Sequence, residues 1–214
     1  MKVSSAKENI LKKIRQALTN STPLPFPHSE GNSSVFKASS QGLDIEFAER
    51  FTHLLGKFVF CADEQELVSQ LNELTTRLQW QHLYCKETSI QKLLNQYNFK
   101  GVFSGDLANC DAAITGCELL VARTGSIVMS TAQQSGRTTS VYAPVHICIA
   151  YANQLVYDVR DGLQLLKEKY AGKFPSLITF ATGPSRTADI EKTLVVGVHG
   201  PKEVYTFLVD QPKQ

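Results

Sequence analysis

A mostly parallel, Rossmann-like α/β fold with helices on both faces is what this sequence predicts, and three observations carry that reading. Short apolar runs such as Phe58–Cys61 and Leu83–Cys85 alternate with amphipathic stripes at helical spacing, the pattern of strands buried by crossing helices. Hydrophobic residues make up 43% and charged residues 20% of 214 positions, which is enough for one sizeable core. The longest apolar stretches, such as Val145–Ala152, fall well short of the roughly 20 residues that span a bilayer.

The elements follow in order. Ile10, Leu11, Ile14 and Leu18 recur at helical spacing among lysines and arginines, so Ser4–Leu18 reads as an amphipathic helix. Pro23, Pro25 and Pro27 then fall among Ser, Thr, Gly and Asn, which rules out a regular element over Asn20–Gly42. Residues 1–42 therefore form an arm of helix and linker. The expectation is that the core folds without it while association needs it. Residues 43–214 form the α/β domain.

Phe47, Phe51, Leu54 and Leu55 mark the domain's first helix, closed by Gly56, and Phe58–Cys61 its first strand. Asp63 with Glu66 three residues on is a capping-box arrangement, which satisfies free N–H groups at a helix start. The stripe Leu67, Leu71, Leu74 and Leu78 completes that helix, Leu83–Cys85 is a strand, and Ile90, Leu93, Leu94 and Tyr97 mark another helix. The second half is richer in strands: Cys110–Ile114, Glu118–Arg123, Ile127–Ser130 and Val145–Ala150. A helix over Asp158–Tyr170 and strands at Leu177–Phe180, Leu194–Val196 and Val204–Val209 close the chain.

Composition excludes several function classes. Net charge is +2 and the basic residues are scattered, without the basic stripe and interleaved aromatics of a nucleic-acid binder. Met1–Lys13 is charged throughout, so no secretory signal is expected. Cys61, Cys85, Cys110, Cys117 and Cys148 are odd in number, which points to free thiols in a reducing, cytoplasmic compartment. No pair has C-x-x-C spacing, so neither a metal nor an iron–sulfur cluster is expected in this chain. The cysteines read as small buried hydrophobes.

Three loops hold the residue types that bind small anions. Arg123-Thr124-Gly125-Ser126 lies between two strand runs, Gly183–Glu191 follows another, and Val198-His199-Gly200-Pro201 follows a third. Glycine lets backbone N–H groups approach an anion, and hydroxyls add donors. Ser126, Ser185 and Thr187, with Arg186, suit a phosphate or carboxylate at the carboxyl ends of parallel strands. Each loop taken alone is equally a turn, because Gly-Pro ends a strand. His199 lies in a loop beside Gly200, and histidine is the residue type that suits acid/base work. Asp189 and Glu191 are two apart and share a face only on an extended chain. His146, inside an apolar run, reads on its own as a core residue.

The ordered motifs Ile114-Thr115-Gly116, Arg123-Thr124-Gly125-Ser126, Pro144-Val145-His146-Ile147, Gly183–Glu191 and Val198–Pro201 resemble the lactate-utilization protein C family over roughly residues 110–210. The resemblance implies a fold like that of sugar-phosphate isomerases and coenzyme A transferases. It also implies a role in oxidising L-lactate to pyruvate beside iron–sulfur partner proteins, with no cofactor in this chain. On its motif positions the ligand site takes in Thr124, Gly125, Ser126, His146, Gly183, Pro184, Ser185, Arg186, Thr187 and Gly200, with His199, Asp189 and Glu191 as candidates for chemistry. The family usually has a glutamate where this chain has Arg123. Glu118 does not replace it, since five residues along a strand turn a side chain to the opposite face. The alternative reading is a stand-alone isomerase or transferase acting on a phosphorylated or coenzyme-A-linked substrate, and a homo-oligomer is compatible with either.

Overall fold

The computed structural model describes residues 5–19, 39, 41–187 and 195–210. The chain divides into two compact units, Met1–Ala38 and Ser39–Gln214. In the first, α1 spans Ser5–Thr19, one residue from the expected bounds, and Ile10, Leu11 and Ile14 are exposed. The linker expected over Asn20–Gly42 lies mostly outside the described residues.

The second unit is built on a five-stranded sheet in the order β1-β11-β6-β3-β2. These strands are β1 (Lys57–Cys61), β2 (Leu83–Cys85), β3 (Ala112–Thr115), β6 (Val145–Tyr151) and β11 (Glu203–Val209), and every pairing is parallel. Period-two alternation divides their side chains between two cores. Ile147, Ile149, Tyr205 and Phe207 pack with Leu67, Leu71 and Leu94 of α3 (Glu64–Arg77) and α4 (Thr88–Gln96). Asp63 caps α3 by accepting the Glu66 N–H at 2.8 Å, and the Glu66 carboxylate reaches back to Ala62 N. The expected cap is present, displaced by one residue on its return arm.

Cys148, Ala150, Val204 and Leu208 face the other way. They meet Phe47 and Phe51 of α2 (Leu43–His53), together with Leu120, Ile127 and Met129 of a second sheet. That four-stranded sheet has the order β7-β4-β5-β8, from β4 (Leu119–Val121), β5 (Ser126–Ser130), β7 (Leu155–Val156) and β8 (Ile178–Ala181). The β4–β5 and β5–β8 pairings are antiparallel. The mostly parallel sheet is thus as expected. One of its faces carries helices, and the other carries α2 with the second sheet. Closely spaced strands near Cys110–Ser130 signal that second sheet, because the short β4–β5 link permits only a hairpin.

Two shorter elements complete the unit. α5 (Thr139–Tyr142) and α6 (Val159–Lys169) flank β6, and α6 packs Leu166 against Leu119, Val121 and Val128. The strand expected at Leu194–Val196 is present over Val195–Val196 (β10), and among the described residues it pairs with Arg186–Thr187 (β9) as a two-stranded antiparallel ribbon outside the two larger sheets. All five cysteines are buried and none is paired in a disulfide, which fits their reading as small hydrophobes. No described helix is long and apolar enough to cross a membrane.

Candidate functional site

The site begins with two residues on neighbouring parallel strands. His146, second in β6, and Thr115, last in β3, are both fully buried, and the Thr115 Oγ1 lies 2.8 Å from His146 Nε2. The other ring nitrogen, Nδ1, is buried with no hydrogen-bond partner among the described residues. Burial pushes the imidazole down to about 4, so the ring is neutral at physiological pH. A buried polar atom without a partner is costly, and such an atom in a cavity wall marks a ligand position.

His146 lines a cavity of about 280 Å³. Ser140, Thr179, Thr182, Gly183, Ser185, His199 and Gly200 share its wall, while Met129, Phe180 and Val204 supply the apolar part. Among the described residues that line it there is no aspartate, glutamate, lysine or arginine. Donors therefore come from hydroxyls, imidazoles and backbone, a lining suited to a small ligand rich in oxygen acceptors. An adjoining groove of about 470 Å³ shares Val141, His199 and Gly200 and adds Tyr142, Pro144 and Lys202.

Two of the three expected loops meet here. Ser185 N–H donates to the Pro201 carbonyl at 2.9 Å and Gly197 N–H to the Ser185 carbonyl at 2.8 Å, tying the loops together. Gly183 holds φ +110, where a Cβ would stand 2.5 Å from the Leu54 carbonyl oxygen. At Gly200 a Cβ would lie 2.9 Å from the Ser185 Cβ, so both glycines are needed for close approach. Pro184 is buried and Arg186 exposed, and neither they nor Thr187 line the cavity. Asp189 and Glu191 lie outside the described residues. His199 is exposed at the mouth.

The Thr124–Ser126 loop does not share this cavity, and the expected three-loop convergence is corrected to two. On β5, Ile127 and Met129 face the parallel sheet, so Ser126 points to the other side by alternation. There its Oγ lies 2.7 Å from the Thr124 Oγ1, and the Gly125 backbone abuts Phe51 N, to which a Cβ would stand at 2.6 Å. A second correction concerns the sheet end. The cavity lies by the amino ends of β6 and β11, because Val198–Pro201 leads into β11 and Gly183 leaves an antiparallel strand.

The carboxyl ends of β3 and β6 border a different cleft, of about 310 Å³, lined by Glu64, Glu87, Lys92, Gly116 and Tyr151. Glu87 is buried and accepts the Gly116 N–H at 3.0 Å, and Glu64 accepts the Tyr151 hydroxyl at 2.8 Å. Two carboxylates against one lysine disfavour a small anion there.

Arg123 pairs with Asp158 at 2.6 Å beside the start of α6. Glu118 faces α6, its side chain 1% exposed. It accepts hydrogen bonds from Ser130 at 2.5 Å, Tyr170 at 2.7 Å and Lys169 at 2.7 Å. Both residues secure α6 to the second sheet, and neither lines the His146 cavity.

Residues 45–209 match the model of the LUD domain. The chain belongs to the LUD domain family. Relatives include a lactate utilization protein C of Deinococcus radiodurans, 34% identical over 49% of this chain and 49% of that protein. Another, from Bacillus subtilis, is 34% identical over 47% of this chain and 43% of its own length. The chain thus spans about half the length of the relatives it matches. A crystal structure of a DUF162 family protein from Deinococcus radiodurans superposes with TM-score 0.59 at 19% identity, covering 81% of this chain and 99% of that one. That likeness shows a shared fold. Thr115, Thr182, Ser140 and Thr179 were not singled out as site residues from sequence, although Thr115 sits inside the Ile114-Thr115-Gly116 motif.

Proposed function

We propose that this LUD-domain chain acts in lactate utilization by holding a small carboxylate, lactate or pyruvate, in the His146 cavity. The observation that carries the reading is a fully buried imidazole with an unpartnered Nδ1 in a wall of hydroxyls and glycines that, among the described residues, contains no acidic side chain. A three-carbon acid fits within about 280 Å³, and its oxygens complement the donors. The names of the relatives, lactate utilization protein C, support the pathway. On this reading the chain is one member of a lactate-oxidising system. The electrons pass to partner proteins that carry iron–sulfur clusters, and the residues of this chain bind and orient the acid. The alternative of a stand-alone enzyme on a phosphorylated or coenzyme-A-linked substrate is less well supported, since among the described residues lining the inner cavity there is no lysine or arginine to meet a phosphate.

Calorimetric titration with L-lactate, pyruvate and a sugar phosphate tests the proposal. Saturable binding of lactate or pyruvate, lost in His146→Leu with the fold intact, is expected. Binding of the sugar phosphate alone would favour the alternative.

A further inference from the structure

We infer that Thr115 sets the tautomer of His146, so that the cavity presents an N–H donor at Nδ1 and recognises an oxygen acceptor on its ligand, such as a carboxylate. The inference rests on the reading that the cavity binds a small acid, and it specifies which atom does so and in which form.

The argument is an account of buried hydrogen atoms. Thr115 is fully buried, and His146 Nε2 is the one hydrogen-bond partner of its hydroxyl among the described residues. A hydroxyl carries one donor hydrogen, and a neutral imidazole carries one N–H and one bare nitrogen. Two arrangements are open. If Nε2–H donates to Thr115, the threonine O–H is left buried without an acceptor, and Nδ1 is left bare without a donor. If Thr115 donates to Nε2, the threonine is satisfied, the ring hydrogen moves to Nδ1, and a single group remains unpaired. Each orphaned buried donor or acceptor carries a desolvation cost, so the second arrangement, with one orphan in place of two, wins. Its one unpaired group is the Nδ1–H, on a ring that lines the cavity, and a ligand oxygen resolves it.

The surroundings do not reverse this choice. Along the same face of β6 the next residue is Cys148, and the nearest positions of β11 on that face are Val204 and Thr206. Among the described residues, His199 is the one other titratable side chain in the cavity wall, and it stands exposed. No charged group shifts the His146 ring, whose low pKa comes from burial. Recognition by a neutral N–H rather than an imidazolium has a visible consequence: affinity for a carboxylate stays level between about pH 5.5 and 8. A histidinium-based site would instead weaken through roughly pH 6.5.

The test uses the full chain labelled with ¹⁵N-histidine. Long-range ¹H–¹⁵N spectra of the ligand-free protein, with the His146 signals identified by their loss in His146→Gln, report which nitrogen bears hydrogen. A protonated Nδ1 with a bare Nε2 is expected. A protonated Nε2, or a doubly protonated ring at pH 7, overturns the inference whatever the ligand proves to be. Thr115→Val should move hydrogen toward Nε2 and weaken pyruvate binding about tenfold, and Thr115→Ser should restore both. Should the spectra show the Nδ1–H form while pyruvate fails to bind the wild type, the tautomer stands and the small-acid reading falls. Weakened binding in Thr115→Val with an unchanged tautomer would reduce Thr115 to a packing residue and overturn its proposed role.

Discussion

Thr115 and His146 join two adjacent parallel strands through one buried side-chain contact, the Thr115 Oγ1 lying 2.8 Å from His146 Nε2. The remaining ring nitrogen is buried without a hydrogen-bond partner among the described residues. A core histidine would ordinarily have both nitrogens satisfied or one in water. The departure from that pattern is what supports the proposed site.

The first prediction concerns stability against pH. Burial pushes the His146 ring down to about 4 from an ordinary 6.5, so the unfolded chain takes up this proton first as pH falls. Stability from this residue is complete above about pH 6.5. It declines toward pH 4 with a slope of up to about 1.4 kcal/mol per pH unit. Urea unfolding of wild type and His146→Asn from pH 7 to 5 measures it. The wild-type curve falls more steeply, and parallel curves would contradict the buried neutral ring.

Glu118 gives a prediction of opposite chemistry. Burial opposes its ionisation, but hydrogen bonds from Lys169, Ser130 and Tyr170 outweigh that and hold the carboxyl below its ordinary value. Its stabilising contribution is therefore present above about pH 4.3 and is lost as pH falls through the lowered folded value. Glu118→Gln should cost about 1–3 kcal/mol at pH 7, the half-exposed lysine contributing least, and flatten the acid limb of the stability curve. Ligand affinity should not change, because this cluster lies on the α6 side of the second sheet. A loss of affinity larger than the loss of stability would contradict that separation.

The two glycines of the loop pair predict different outcomes. Gly183→Ala places a side chain at φ +110 and 2.5 Å from a backbone oxygen, which should destabilise the fold by about 1–3 kcal/mol. Gly200→Ala brings its Cβ 2.9 Å from the Ser185 Cβ, which is fixed to the backbone, so the two loops must shift apart. It should weaken ligand binding several-fold, with a stability loss of about 1 kcal/mol, smaller than that of Gly183→Ala because no positive φ is involved. Thermal melts beside calorimetric titrations separate the two, and equal stability losses would refute the distinction.

Much of the fold was legible because its elements obey local rules. The helix stripes, the Asp63 cap and the continuous apolar runs of β6 and β11 each follow from burial at a fixed period. The second sheet was less so, since Leu119–Val121 and Ser126–Ser130 read as strands without revealing which partners they choose. The site was legible in part. Glycine-rich spacing pointed to Gly183, Ser185 and Gly200, which do line one cavity. The same cue pointed to Thr124–Ser126, which pack against α2. Sequence spacing reports conformational freedom without reporting which face of a strand a loop serves. His146 looked like an ordinary core residue because its missing partner is a fact of three dimensions, and Thr115 became visible only through the parallel pairing of β3 with β6.

The unit Ser39–Gln214 has its own two-faced core, so deletion of residues 1–38 should leave its melting temperature within about 2 °C. A calorimetric melt checks this, and light scattering on the same samples reads association, which the amphipathic stripe of α1 is expected to support. An unfolded truncation would assign the arm to the core, and an unchanged mass in solution would remove its proposed role in assembly.

The most direct test of the central claim is a crystal structure of the protein soaked with pyruvate at neutral pH. The account predicts pyruvate in the cavity between Gly183, Ser185 and Gly200, with an oxygen within hydrogen-bond distance, about 3.2 Å, of His146 Nδ1. Pyruvate bound instead in the cleft of Glu64 and Glu87, or a cavity left without pyruvate at saturating concentration, would contradict it.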